Sequence, residues 1–330
     1  MTLSVLFLGG TGTISSWCAR RAVDAGIALT VLNRGTTTRR PLPDGVEELR
    51  GDARDPESVR AAIGDRRFDV VVDFVAFLPE HVAADIEVFR GRTGQFIFIS
   101  SASAYQKPVS RLPITESTPL HNPFWKYSRD KIACEDLLIE AYRNEGFPAT
   151  IVRPSHTYDD LRTPLLGGHA DIDRMRAGRP VLVHGDGTSL WTLTHSSDFA
   201  VAFTGLLGDR RTVGDAFTIT SDEALTWDQV YRAIGAAAGA EPDLVHVSSE
   251  TIARYAPSHG PGLLGDKAHS VVFDNSKIKS VVPWYVCRVP YAEGARRIVA
   301  AYDADPSLAT PNQEFEDVYD TLVGLATSAP

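Results

Sequence analysis

Short apolar runs recur along the first half of the chain, spaced so that one helix fits between each pair. Residues 5–8, 28–32, 69–75, 95–99 and 147–152 are each four to seven long and rich in Val, Ile, Leu and Phe, which reads as buried strands, and 46–50 is a further strand. Between them, residues 16–23, 79–90 and 124–143 carry apolar positions at helical spacing. Asp55-Pro56 supplies a helix N-cap followed by proline at the first turn. Regular strand–helix alternation predicts right-handed crossovers and one doubly wound parallel α/β sheet. Beyond Pro154 the pattern turns irregular: a Gly/Pro-containing loop, a helix near 171–177, an apolar run at 181–183, a strand at 215–220 that rejoins the sheet, and a helix at 227–238. The expected division is residues 1–154, plus parts of 190–220, as the sheet domain, with 155–330 mainly a smaller C-terminal substrate-binding lobe. No repeat or flexible linker separates the two.

The first apolar run ends in Gly9-Gly10-Thr11-Gly12, and a helical pattern follows at once. Glycines at the point where a strand becomes a helix N-terminus form an anion site. Gly9 allows the tight turn, Gly12 lets the backbone approach a pyrophosphate, and Ser15 stands where a third glycine often lets helix and strand pack closely. The second run ends at Asn33-Arg34-Gly35, without the acidic residue that grips the ribose hydroxyls of NAD. Arg34 would hold a 2′-phosphate, with Arg39 or Arg40 in support, or else stand solvated in a turn. Asp52 is placed to approach the adenine.

Composition narrows the class. No apolar run reaches membrane-spanning length, and a net charge of -9 argues against nucleic acid or an anionic membrane as the main partner. The residues before the first strand show no basic n-region or small-residue cleavage site, so no secretory leader is expected. Cys18, Cys134 and Cys287 form no C-x-x-C pair, so a reduced cytoplasmic protein is expected. None of the nine histidines falls into a metal-binding spacing, and no Gly-x-Ser-x-Gly elbow is present.

Tyr127 and Lys131 are four apart within a predicted helix, which puts them on one face. A neighbouring ammonium stabilises a phenolate and brings a phenol toward useful acid/base range. Taken with the glycine loop and with Ser100-Ser101 at the end of strand five, this pattern resembles the extended short-chain dehydrogenase/reductase family, the NAD(P)-dependent epimerase/dehydratase group. The resemblance runs from about residue 3 to about residue 300. It takes in Gly51-Asp52-Ala53-Arg54-Asp55, Arg153-Pro154, Gly185-Asp186-Gly187-Thr188, His195-Ser196-Ser197-Asp198 and Asp274-Asn275-Ser276-Lys277.

That resemblance implies a Rossmann-type fold, Tyr127 as general acid/base, Lys131 lowering its pKa and bonding the nicotinamide ribose, and Ser101 orienting the reacting oxygen. It also implies a cofactor site made of Gly9, Gly12, Thr13, Ile14, Asn33, Arg34, Asp52, Ala53, Ala76, Tyr127, Lys131 and Pro154, with Phe77, Ser103 and Trp191 toward substrate. No metal is implied. The helices at 79–90 and 124–143 correspond to those through which extended members commonly dimerise, so a homodimer is expected.

Three departures shape the function. Asn33-Arg34 favours NADP(H) over NAD(H). Ala102-Ser103 stands where dehydratases carry an Asp-Glu pair, so the acid and base for eliminating water are missing from that position. Trp191 occupies the register of a diphosphate-binding arginine, although Arg174, Arg176 and Arg179 lie upstream. The expected activity is an NAD(P)-dependent epimerase or oxidoreductase that transfers a hydride reversibly at a secondary alcohol of a sugar-like molecule or polyol. The alternatives are a nucleotide-sugar 4-epimerase, or a non-catalytic NAD(P)-binding or RNA-binding relative.

Overall fold

A computed structural model describes residues 2–37, 39–309 and 313–327. The chain opens with β1 (Ser4–Leu8), α1 (Ser15–Asp24), β2 (Ala28–Asn33), β3 (Glu47–Arg50), α2 (Pro56–Ile63), β4 (Phe68–Asp73), α3 (Pro79–Phe89), β5 (Thr93–Ile99), α4 (Lys126–Glu145) and β6 (Ala149–Pro154). It continues with β7 (His156–Tyr158), α5 (Ala170–Arg176), β8 (Val181–His184), β9 (Leu190–Trp191), β10 (Leu193–His195), α6 (Ser196–Leu206), β11 (Ala216–Ile219), β12 (Leu225–Thr226), α7 (Trp227–Ala238) and β13 (Leu244–Val247). Helices Ser276–Val281, Tyr291–Ala304 and Gln313–Thr327 are the main elements that follow.

Seven strands form the predicted parallel sheet in the order β11-β6-β5-β4-β1-β2-β3. Val5 to Leu8 are wholly buried, as expected of a strand covered on both faces. One face packs against α1 and α6, the other against α2, α3 and α4. Strand order reverses between β1 and β4. The crevice at the carboxyl ends of those strands is where ligands of open sheets collect.

A segment the sequence reading left unassigned, α6, fills the sheet face beside α1 with Phe199 and Phe203. Its run Ser-Ser-Asp-Phe-Ala-Val-Ala-Phe lacks a polar stripe because sheet and neighbouring helices cover it nearly all round. A second core joins Tyr158, Trp191, Trp227, Tyr231 and Tyr291, with β8 pairing β13 and β9 pairing β12 around it.

Candidate active site

Gly9 adopts φ +82°, and a Cβ there would sit 2.6 Å from Val75 Cγ1, so only glycine makes this turn. The Gly12 amide donates to Ser15 Oγ at 2.9 Å, and the Gly10 amide donates to Asn33 Oδ1 at 3.0 Å. Asn33 therefore braces the loop from β2. The cavity above holds Gly9, Gly12, Asn33, Arg34, Asp52, Ala53 and Arg54. Its shape, its glycine cradle and the N-terminus of α1 fit the adenosine and pyrophosphate of a dinucleotide.

Arg34 is exposed at this cavity and has no hydrogen bond or ion pair among the described residues. Arg39 and Arg40 do not support it. Arg40 forks onto Asp159 at 2.6 and 2.9 Å, and Arg39 donates to the Ser307 carbonyl at 2.7 Å, so both fasten this loop to the second lobe. Glu48 also lines the cavity, 3.3 Å from Arg50.

The cleft continues past Gly12, Thr13 and Ile14 to Phe77, Ser101, Tyr127, Lys131 and Pro154. From there it opens into a chamber bounded by Ser101, Ser103, Tyr127, Pro154, His156, Arg162, Trp191, Asp266 and Lys267. The structure thus brings the predicted serine, tyrosine and lysine together beside the glycine loop. Phe77 lies on the glycine-loop side of Tyr127, with Lys131 Nζ 4.8 Å from its ring centroid, instead of facing the chamber. Ala76 is buried and contributes its backbone: its amide donates to Asp73 Oδ1 at 2.8 Å and its carbonyl accepts from Lys131.

Lys131 Nζ donates to the carbonyls of Ala76 and Ile99, both at 2.7 Å. Burial pushes its pKa down to about 8 against the opposing charge of Asp73. Tyr127 departs from expectation, because burial raises its pKa and the hydrogen bond with Ser101 offsets this only in part. Desolvation outweighs the four-residue spacing to Lys131, whose Nζ stands 5.9 Å from the Tyr127 ring centroid. Ser101 is held in turn. It hydrogen-bonds Ser103 Oγ at 2.9 Å, and Ser128 donates to Ser103 at 2.8 Å.

Beneath the strand ends lies a buried network. Ser100 donates to Glu135 at 2.5 Å, Arg153 clamps Glu135 through Nε at 3.0 Å and Nη2 at 2.5 Å, and Arg153 Nη1 donates to Tyr105. Burial works against the Arg153 charge, but the hydrogen bonds and charge of Glu135 outweigh it and raise its pKa.

Trp191 is 2% exposed and packs on Trp227 at 5.4 Å, so it is chiefly a core residue of the second lobe whose ring floors the chamber. Arg176 is spent on Asp303 at 2.7 and 2.9 Å, and Arg174 on Asp320 at 2.7 Å. The chamber's cations are Arg162 and Lys267, which the sequence reading did not select; Arg162 comes from an irregular loop and Lys267 ends a short helical turn, Leu263–Lys267. Among the described residues no cluster of three His, Cys, Asp or Glu side chains could hold a metal ion.

The family model for the NAD dependent epimerase/dehydratase family matches residues 5–90 and 86–219. The chain is 29% identical over 255 residues to 2'-dehydrokanamycin reductase of Streptomyces kanamyceticus, covering 76% of this chain and 70% of that one. It is likewise 29% identical over 256 residues to the chloroplast stem-loop binding protein of 41 kDa b of Arabidopsis thaliana, covering 73% of this chain and 65% of that protein's length. Among solved structures, dTDP-glucose 4,6-dehydratase of Bacillus anthracis in complex with NAD superposes with a TM-score of 0.75 at 18% identity, covering 93% and 98% of the two chains.

Proposed function

Because the chain belongs to the NAD dependent epimerase/dehydratase family, we propose that it is an NAD(P)-dependent epimerase or oxidoreductase acting reversibly at a secondary alcohol of a sugar-like molecule. The observation that carries this reading is the single cleft shared by Gly12, Thr13, Ser101, Tyr127 and Lys131, opening directly into a chamber of the second lobe. A nicotinamide held there supplies the hydride acceptor and donor. This chain's residues do the rest. Ser101 and Tyr127 hydrogen-bond the substrate oxygen, and Tyr127 Oη takes its proton as the carbon–hydrogen bond breaks and returns it in reverse. Lys131 holds the ribose, the Ser101 hydrogen bond favours the phenolate against burial, and Ser103 and Ser128 fix the orientation of Ser101.

NADP(H) is the favoured cofactor, supported by Arg34 standing unpaired at the adenosine cavity. A free or singly modified polyol suits the chamber better than a nucleotide sugar, since Arg174 and Arg176 are engaged elsewhere. Dimerisation through α3 and α4 fits their packing side by side on one sheet face. A cytoplasmic site fits three free cysteines, and a net charge of -9 speaks against nucleic acid.

The test is nicotinamide absorbance with a panel of sugars and polyols, alongside Tyr127→Phe. Turnover should fall roughly 100- to 10,000-fold with cofactor affinity nearly unchanged. A variant that keeps most of its turnover removes Tyr127 from the chemistry. Cofactor oxidised or reduced in step with product marks an oxidoreductase, and cofactor retained through turnover marks an epimerase. A salt-sensitive RNA gel shift with no turnover would favour the binding-protein reading instead.

A further inference from the structure

The chamber beyond Tyr127 is unbalanced in charge. Arg162, in the loop after β7, has an exposed side chain with no hydrogen bond or ion pair among the described residues. Lys267 lines the same wall, and its ammonium likewise has no hydrogen bond among them. Behind them is Lys107, whose side chain is fully buried. Among the described residues its Nζ has no hydrogen-bond partner, and Asp266 Oδ1 stands 3.4 Å away. Lys107 and Lys267 therefore share one carboxylate, Asp266, and Arg162 adds a third positive charge on the same wall.

His156 adds no negative charge. Burial, then the charges of Lys267 and Arg162, keep its ring neutral. Lys267 is itself pushed down by burial and by Arg162, with Asp266 opposing. Like charges held together in a partly desolvated cavity repel, and a fold gains nothing from the arrangement unless an anion enters. Arg162 and Lys267 lie at the junction of the chamber and a second cavity floored by His184, Trp227 and Tyr231. Arg162 also lines the cleft of Gly12, Ser101 and Tyr127, whereas Lys267 does not, so a group held between the two spans the passage from that cleft into the chamber.

We infer that the substrate carries a single carboxylate or phosphate monoester, gripped between Arg162 and Lys267, and that this grip presents its carbinol carbon to Ser101 and Tyr127. The inference rests on the reading of this cleft as the substrate site. Asp266 sets the balance: it neutralises one cation and leaves two for the ligand, which suits a phosphate dianion or, less fully, a carboxylate. Arginine supplies a planar fork for two oxygens and lysine a point charge.

The experiment is calorimetry on the full chain carrying Tyr127→Phe, so that no turnover contributes heat, saturated with NAD+ and in a second series with NADP+ so that the pyrophosphate site is filled. The probes are glucose 6-phosphate, glucuronate, glucose and UDP. Glucose 6-phosphate or glucuronate should bind at least about ten-fold more tightly than glucose, the stronger of the two identifying the group. Arg162→Gln and Lys267→Gln should each erase that advantage, and Arg176→Gln on the outer surface should preserve it.

Thermal melts confirm that each variant is folded, and Arg162→Gln, at an exposed position, carries the test if Lys267→Gln is not. Equal binding of charged and neutral sugars, an unchanged affinity in folded Arg162→Gln, or no binding of either charged sugar at millimolar concentration overturns the inference. UDP binding more tightly than both charged sugars overturns it in favour of a nucleotide handle. Because catalysis is disabled throughout, loss of the hydride-transfer reading would leave this result standing, and the reverse holds equally.

Discussion

Glu135→Gln isolates the buried pair under the strand ends. Glu135 is wholly buried, accepts from Ser100 at 2.5 Å and holds Arg153, whose side chain is 5% exposed. Glutamine keeps the shape and one accepting oxygen but removes the charge, so the guanidinium is left buried with only neutral partners, the glutamine carbonyl and Tyr105. Breaking such a pair from one side costs about 3–5 kcal/mol, since the remaining charge has no counter-ion. With an unfolding entropy of roughly 2.1 cal/mol/K per residue, the 330 residues give about 0.7 kcal/mol per degree, so the melting temperature should drop by about 4–7 °C.

The double variant Glu135→Gln/Arg153→Met removes both charges and should recover much of the loss, because apolar replacement of a buried pair is often neutral. Differential scanning fluorimetry on wild type, both single variants and the double variant reads the cycle. A single-variant drop below about 1 °C, or losses that simply add, would refute the coupling. Activity should fall with stability, since Ser100 precedes Ser101 and its hydroxyl is one of the groups Glu135 secures.

Three further outcomes follow from the same geometry. Calorimetry should show NADP(H) bound more tightly than NAD(H), with the preference lost in Arg34→Ala; equal or better NAD binding in wild type would contradict it. Lys131 has a folded pKa of about 8 against 10.5 in the unfolded chain, so its burial penalty is complete below pH 8 and is relieved as pH rises toward 10.5. Wild-type stability relative to Lys131→Met should therefore rise by about 3 kcal/mol across that window in urea titrations, and a flat difference would remove the shift. Sedimentation at micromolar concentration should show a dimer, and monomer alone would count against pairing through α3 and α4.

What the sequence made legible was what is written locally. The glycine turn, six of the seven sheet strands in sequence order, the returning strand near 216 and the Tyr127–Lys131 helix face each follow from spacing within one segment. The raised Tyr127 pKa was hidden because desolvation depends on the walls around a residue and not on its neighbours in sequence. Lys107, Arg162 and Lys267 sit in three segments far apart in sequence, and nothing in any one of them signals that they meet. Arg39 and Arg40 misled for a related reason: nearness in sequence to the adenosine cavity placed them there, while Asp159 and Ser307, more than 100 residues away, hold them.

That last arrangement bears on redesign. Residues 34 to 37 shape the adenosine cavity, and two positions later the same loop is tied to the second lobe by Arg39 and Arg40. The lining of the cavity beside the glycine loop and the tether to the second lobe are thus written in adjacent letters of one short segment. A loop graft meant to swap dinucleotides would cut the tether along with the binding residues and widen the cleft where substrate sits, whereas exchanging residue 34 alone would leave the tether in place.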